Sequence, residues 1–505
     1  MQSSAISENI TDNENYLKNV LGQGSELNYR RFVVPSLGNC PVLIVFTNGM
    51  VDIKRIDQFI LAPLMSNSEL PQIDNPIKST GKTTLLMESR IFLASTKETS
   101  LWTEICDAIV TGNTVLLLDR SNSGLIFATQ GWKARDVSEP LTESEVKGPR
   151  EGFVEDIHTN IVLIRRRIKD YNLRFDNFII GERTKTDVVV AYIKDMVDKS
   201  ILDEVKVRLN RIKVDSILES QYIEELIKDA PVSIFPTNES TERPDKASAA
   251  ILEGRIVILV DNTPFVLIVP TVFWNFMKAS GDYYENLHIA ILLRLIRTLA
   301  LFLSTSASSF FVLLTSYHQE MIPTSLALKI ATGRHGVPFP SLIEVFAMEV
   351  ILEVMREAGL RMPKPIGQTV SIVGTLVIGQ AAVSAGFVSP AVVIVIAVAA
   401  ISAFAIPSYS LSRTTTLIRF PLLFATAILG LFGYLGGVIV YCLYVLSIRS
   451  MGQPYVAPVS PFDKSRIKDI FTRAPWWRMQ EHTKLGYQKD SQAVKDLKPK
   501  PPSPK

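Results

Sequence analysis

The chain has 505 residues, 47% of them hydrophobic, with a mean hydropathy of +0.21 and a formal net charge of +3. Three cysteines, Cys40, Cys106 and Cys442, are too few and too scattered for a disulfide framework or a metal cluster, which suits a reducing compartment. The charge is uneven: after Met451 eleven Lys and Arg face five Asp and Glu, so the tail carries 11 − 5 = +6 and the rest 3 − 6 = −3.

The opening MQSSAISENITDNENY is polar and acidic and lacks the basic and apolar regions of a secretory signal. The part before the first apolar span is therefore expected in the cytoplasm. Residues 1–27, rich in Ser, Asn and Glu, are expected to be disordered. Residues 28–150 and 151–280 read as two mixed α/β subdomains. In the first, CPVLIVF (Cys40–Phe46) followed by Thr47-Asn48-Gly49 reads as a strand. ETSLWTEICDAIV (Glu98–Val110) reads as a helix, and TVLLLD with LIFATQ around Asn122-Ser123-Gly124 as a hairpin. The polar stretch VSEPLTESEVKGPREG marks the boundary. Beyond it NIVLIRRRIKDY reads as a basic helix, FIIG and TDVVVAYI as strands, and ILDEVKVRLNRI as an amphipathic helix. RIVILV and FVLIVP form a second hairpin across Asp261-Asn262-Thr263-Pro264.

Two motifs in this region are read as decoys. Ser79-Thr-Gly-Lys-Thr-Thr84 ends like a phosphate-binding loop, but Pro76 stands where the motif wants its first glycine, so a surface loop is expected around Lys82. Arg165-Arg166-Arg167 lacks interleaved aromatics and is expected on a solvated or subunit-contacting face; no nucleic acid is expected. The five histidines, His158, His288, His318, His335 and His482, have no metal-ligand spacing, and no nucleophile motif is present. No catalytic, cofactor or metal residue is assigned, and no enzymatic activity is expected.

Residues 290–448 read as an all-α polytopic membrane domain. Between Ile366 and Ile448 the only charges are Arg413 and Arg419. Four spans are expected: Thr298–Tyr317, Ile366–Phe387, Pro390–Ile406 and a long Ile418–Ser447 with Gly430, Gly433, Gly436 and Gly437 as a small-residue contact face. Ser304, Thr305 and Ser308 of the first span serve either close helix packing or a polar lining for a water-filled path. Residues 449–505 form the basic tail.

Between the first two spans lies SLIEVFAMEVILEVMREAG (Ser341–Gly359). A central acidic residue costs about 2.5–3.5 kcal/mol on the insertion scale, so several would defeat a lone lipid-facing span. Glu349, Glu353 and Arg356 fall within a stripe of about 60° on a helix, with Glu344 well away from it. Such a helix fits the membrane interface, a re-entrant segment, or a span whose stripe faces a protein-lined cavity. Without it there are four crossings and both termini are cytoplasmic, which suits the basic tail; with it there are five. Glu349, Glu353 and Arg356 are the candidate pore or gating residues, with Ser304, Thr305 and Ser308 as the second candidate lining.

GPREGFVEDIHTNIVLIRRRIKD, TERPDKASAAILEGRIVILVDNTPFVLIVPTVF and SYHQEMIPTSLALKIATGRHGVPFPSLIEVFAMEVILEVMREAGLRMP closely resemble the spore germination receptor A-subunit family, the GerA type. The likeness runs from near Arg30 to near Ser465 and includes IGQTVSIVGTLVIGQAAVSAGFVSPAVVIVIAV. The resemblance implies a multi-pass protein of the spore inner membrane, with its N-terminal domain and tail on the cytoplasmic side. It implies a transporter-like membrane B subunit and a lipoprotein C subunit as partners, nutrient-triggered ion release, and self-association into a ring that acts as the ion conduit. A stage V sporulation paralogue shares the GFVE, RRR and TERPD strings. A secondary transporter and a non-conducting scaffold subunit are the alternatives; the absence of an internal repeat among the hydrophobic segments argues against the transporter.

Overall fold

The computed structural model describes residues 6–24, 26–35, 39–65, 96–131, 139–140, 142–143, 145–361, 379–462, 469–470 and 473–475. The chain divides into two compact units, one holding residues up to 228 together with 238–270, the other residues 229–237 and 271–479.

In the first unit, apolar runs become strands covered on both faces. β1 (Leu27–Val34), β2 (Cys40–Thr47), β3 (Thr96–Thr99), β4 (Thr114–Leu118) and β5 (Gly124–Phe127) form an antiparallel sheet in the order β1-β2-β4-β5-β3. Side chains alternate along β2. Leu43 and Val45 pack under α1 (Ile10–Leu21) and α2 (Trp102–Val110), while Val42, Ile44 and Phe46 pack against a helical segment over residues 53–65. Burial on two faces is why the run is continuously apolar.

The second sheet contains β6 (Leu173–Ile180), β7 (Thr186–Ile193), β8 (Glu239–Thr241), β9 (Ile256–Val260) and β10 (Val266–Val269) in the order β6-β7-β9-β10-β8. It too is antiparallel. α3 (Ile157–Arg167) and α6 (Pro244–Leu252) pack on one face; α4 (Lys199–Arg211) and α5 (Ser220–Ile227) lie between β7 and β8 in the chain.

The two sheets have the same strand order, and the likeness extends to single hydrogen bonds. Asn13 Nδ2 donates to Ser7 O and its Oδ1 accepts from Ser7 N; Asn160 makes the same pair with Val154. Asp119 Oδ1 accepts from Ile10 N at the start of α1, as Asp261 Oδ1 does from Ile157 N at the start of α3. Arg120 and Asn262 follow those aspartates at positive φ (60° and 68°), and their backbone N–H groups donate to Glu8 O and Glu155 O. The region is an internal structural repeat.

Within the stretch 1–27 expected to be disordered, residues 10–21 form a helix instead. Residues 10–21 are helical because Asn9 caps the helix and Ile10, Leu17 and Leu21 are buried on the first sheet. A second correction concerns Glu98 and Thr99, which belong to β3 rather than to the helix that follows. Arg165 also departs from the expected solvated face. It is buried, stacks over Phe175 (5.0 Å) and pairs with Glu26 at 3.0 Å across the two repeats, while Arg166 and Arg167 pair with Glu151. The polar boundary stretch is clasped by the TERPD string and the lysine after it: Arg243 donates to Glu143 O and Pro149 O, and Lys246 pairs with Glu143 at 2.9 Å. The Gly-Lys-Thr stretch lies outside the described residues.

The second unit is helical: α7 (Leu287–Ser316), α8 (Thr324–Arg334), α9 (Ser341–Arg361), α10 (Pro390–Phe404), α11 (Tyr409–Leu429) and α12 (Leu431–Ser447). Among the described residues α7 alone is long and apolar enough to cross a membrane, and only 22% of its apolar window is buried; α10 and α12 are shorter apolar helices. Leu292, Leu295, Leu299 and Phe302 of α7 and Ile439, Leu443 and Leu446 of α12 are exposed, as for helices solvated by lipid.

The expected single long helix over Ile418–Ser447 is instead a hairpin of two helices. Gly430, at φ 62°, joins α11 to α12 directly, and α12 folds back on α11. A Cβ at Gly433 would stand 1.9 Å from Ala425 O and one at Gly437 2.6 Å from Leu422, so these glycines set the close contact. Of the expected span Ile366–Phe387, residues 366–378 lie outside the described residues, while 379–384 are helical.

Contacts fix the helix directions. Ser308–Glu349 and Thr315–Ser341 make α7 and α9 antiparallel. Ser304–Arg419 and Tyr317–Ala427 make α7 and α11 parallel. The start of α7 and the end of α12 therefore share one end of the bundle, where Tyr455 O accepts from Phe273 N and Tyr455 OH donates to Pro236 O.

Candidate functional site

α9 carries four carboxylates because other helices supply cations for three of them. Glu344, near its N-terminal end, is buried, lies 3.1 Å from Arg334 at the end of α8, and accepts from Ser389 N at the start of α10 (2.9 Å). A carboxylate there also complements the dipole of α10. Glu357, in the last turns, makes an exposed i,i+4 pair with Arg361 at 2.7 Å.

Glu349 sits at the middle of the bundle with no exposed surface. Its Oε2 is 2.6 Å from Arg419 Nη1, and its Oε1 accepts from Ser308 Oγ at 2.5 Å. Arg419, on α11, also donates from Nε to Ser304 O of α7 (2.8 Å). One arginine thus joins α7, α9 and α11. Arg419 sits mid-helix, about three helical turns before the break at Gly430, and its long side chain reaches inward rather than toward an interface.

One turn further along α9, Glu353 is partly exposed (22%). Its Oε1 is 3.1 Å from Arg356 Nη1 and accepts from Thr416 Oγ1 at 3.4 Å; its Oε2 is 3.6 Å from Arg413 Nη1. Arg356 donates to Thr416 Oγ1 at 3.2 Å and lies over the Phe404 ring at 5.6 Å. Glu353 is a carboxylate shared between two arginines on different helices.

The structure therefore separates the residues of the acidic stripe. Glu349, a candidate pore or gating residue, faces the interior of its own subunit: Arg419 and Ser308 draw it inward, because a buried carboxylate needs a charged and hydrogen-bonded partner. Glu353 and Arg356 lie together at the edge. Ser304 and Ser308 are buried between helices, where they face Arg419 and Glu349, and Thr305 bonds back to Leu301 O and Phe302 O. Sequence reasoning missed Arg419, Arg413, Arg334 and Thr416. Two lone arginines in an otherwise chargeless run, opposite a helix with surplus carboxylates, were the available signal. Among the described residues no group of three His, Cys, Asp or Glu is placed to hold a metal ion.

Residues 15–485 match the family described as Bacillus/Clostridium GerA spore germination protein. The chain is 39% identical to spore germination protein KA of Bacillus subtilis (strain 168) over 98% of its own length and 90% of that protein. It is 42% identical to the uncharacterized membrane protein YfkQ of the same organism, over 95% of this chain and 91% of that one. A crystal structure of the N-terminal domain of the A subunit of the Bacillus megaterium spore germinant receptor GerK3 aligns with 54% of this chain and 99% of its own, at 30% identity and a TM-score of 0.43. With the match running over nearly its whole length, the chain belongs to the GerA spore germination protein family.

Proposed function

We propose that this chain is the A-type membrane subunit of a nutrient germinant receptor that triggers germination of a bacterial endospore. It works in the spore inner membrane with a transporter-like B subunit and a lipoprotein C subunit, and it self-associates into a ring whose helical bundle provides an ion path. The α/β repeats of residues 28–150 and 151–280, the start of α7 and the basic tail lie on the cytoplasmic side, with residues 290–448 as the membrane domain. Support comes from the names of the relatives, from the exposed apolar faces of α7 and α12, and from the start of α7 and the end of α12 sharing one end of the bundle.

The observation that carries the conduit is Glu353 with Arg356 and Arg413, a partly exposed charge cluster at the edge of the bundle. Ionisable groups on membrane helices mark ion paths, and a ring repeats each carboxylate around its axis. Oligomeric state in detergent and cation current after reconstitution test this reading together. A monomer without current contradicts it. The scaffold alternative is favoured by one observation, the complete pairing of Glu349 inside its own subunit. An assembled, non-conducting ring would decide for the scaffold.

A further inference from the structure

The two acidic sites of α9 differ in how firmly they are held, and the difference points to a moving part. Toward its N-terminus α9 is fixed at several levels. Glu344 is held by Arg334 and the Ser389 amide, and Phe346 packs on Phe420 and Phe424 with ring centroids 6.0 and 5.3 Å apart. The last fixed level is Glu349, bonded to α7 through Ser308 and to α11 through Arg419, which itself reaches back to the Ser304 carbonyl. Beyond it the polar ties to α11 are longer: Arg413 is 3.6 Å from Glu353, and Thr416 is 3.4 Å from Glu353 and 3.2 Å from Arg356. Ser341, Glu344, Val345, Met348 and Glu349 are buried, whereas none of residues 351–359 is.

We infer that Glu349 and Arg419 form a fulcrum about which the C-terminal half of α9 swings, carrying the Glu353–Arg356 pair toward or away from Arg413 of α11. Arg419 is then a positioning residue: it sets where α9 pivots, and Glu353, beyond the pivot, makes or breaks its contact with Arg413. Packed helix contacts are bistable rather than continuously deformable, so the made and broken contacts correspond to two discrete helix positions. The inference rests on the conduit reading for its consequence in ion flow, but the hinge itself is a property of this chain.

Hydrogen exchange on the full chain in detergent separates the two. Amides 342–349 are expected to exchange about tenfold or more slowly than amides 351–361, as local opening confined to one half of a helix requires. Arg419→Gln is expected to erase that contrast by raising exchange in 342–349. Where that variant does not fold, the paired Glu349→Gln/Arg419→Met, which buries no charge, takes its place. Equal exchange in both halves of the parent, or parental protection of 342–349 in the variant, overturns the fulcrum. In spores, cation release without nutrient from a normally assembled Arg419→Gln receptor is the expected consequence. The parental contrast in a chain that carries no ion overturns the conduit reading and leaves the hinge standing.

Discussion

Arg419 Nη1 lies 2.6 Å from Glu349 Oε2, and both side chains are sealed within the helical unit. A buried pair of this kind is worth little against a well-packed apolar pair, but half of one is expensive. Glu349→Ala or Arg419→Ala alone is expected to lower stability by about 3–5 kcal/mol, because each leaves an uncompensated buried charge. The pair Glu349→Leu/Arg419→Met should unfold close to the parent. Thermal unfolding in detergent checks both, and single variants that melt like the parent would contradict the buried pairing.

The α11–α12 hairpin depends on Gly433. A Cβ there stands 1.9 Å from Ala425 O, a backbone atom that cannot rotate away. Gly433→Val is expected to cost about 3 kcal/mol or more through overpacking, and to reduce the amount of folded chain in the membrane. Gly436→Val, where nothing lies within 4 Å of the added Cβ, is expected to be tolerated. Equal yields of the two variants would contradict the hairpin.

Glu239 is buried between Lys246 (3.1 Å) and Arg255 (2.7 Å). Burial alone would raise its carboxyl pKa, but the two cations outweigh it and hold it at about 2. Because the folded value is depressed, its stabilisation is full above the unfolded carboxylate range and is lost as pH falls from about 4.3 toward 2, up to about 3 kcal/mol. Glu26 has the opposite sign. Burial raises its pKa despite Arg165, so its contribution improves as the pH drops. Acid unfolding followed on the N-terminal repeat should therefore flatten in Glu239→Gln and steepen in Glu26→Gln.

Asn13 and Asn160 make the same two backbone bonds in the two repeats and are both buried. Replacing either by Ala leaves a partly buried N–H and a partly buried carbonyl without that partner, at a cost of about 1–3 kcal/mol. Near-equal losses in the two variants, measured by denaturant unfolding, are expected. A silent Asn13→Ala would mean that the first copy does not use the bond.

Strands were legible wherever an apolar run was buried on both faces: CPVLIVF, TVLLLD, TDVVVAYI and RIVILV all became strands. Local turn chemistry placed both hairpins, β4–β5 and β9–β10. The first helix was hidden because its composition is polar and only Ile10, Leu17 and Leu21 anchor it. The internal repeat was hidden as well, since it survives in single positions, such as Ile10 and Asn13 against Ile157 and Asn160, rather than in a shared string. At the candidate site, helical geometry aligned Glu349, Glu353 and Arg356 from sequence. Spacing along one helix carries no information about which neighbour approaches it, and it was Arg419, seventy residues away, that turned Glu349 inward. The glycines of α11–α12 read as a contact face, which they are, but the break at Gly430 needs the positive φ to be seen.

The most direct test of the account is the cation current of the reconstituted full chain, compared with that of Glu353→Gln. Glutamine keeps the size of Glu353 and its bond to Thr416 while removing the charge shared by Arg356 and Arg413. The account predicts a cation-selective current in the parent that falls to background in an equally assembled Glu353→Gln ring. An undiminished current in that variant, or no current from an assembled parent ring, would contradict it.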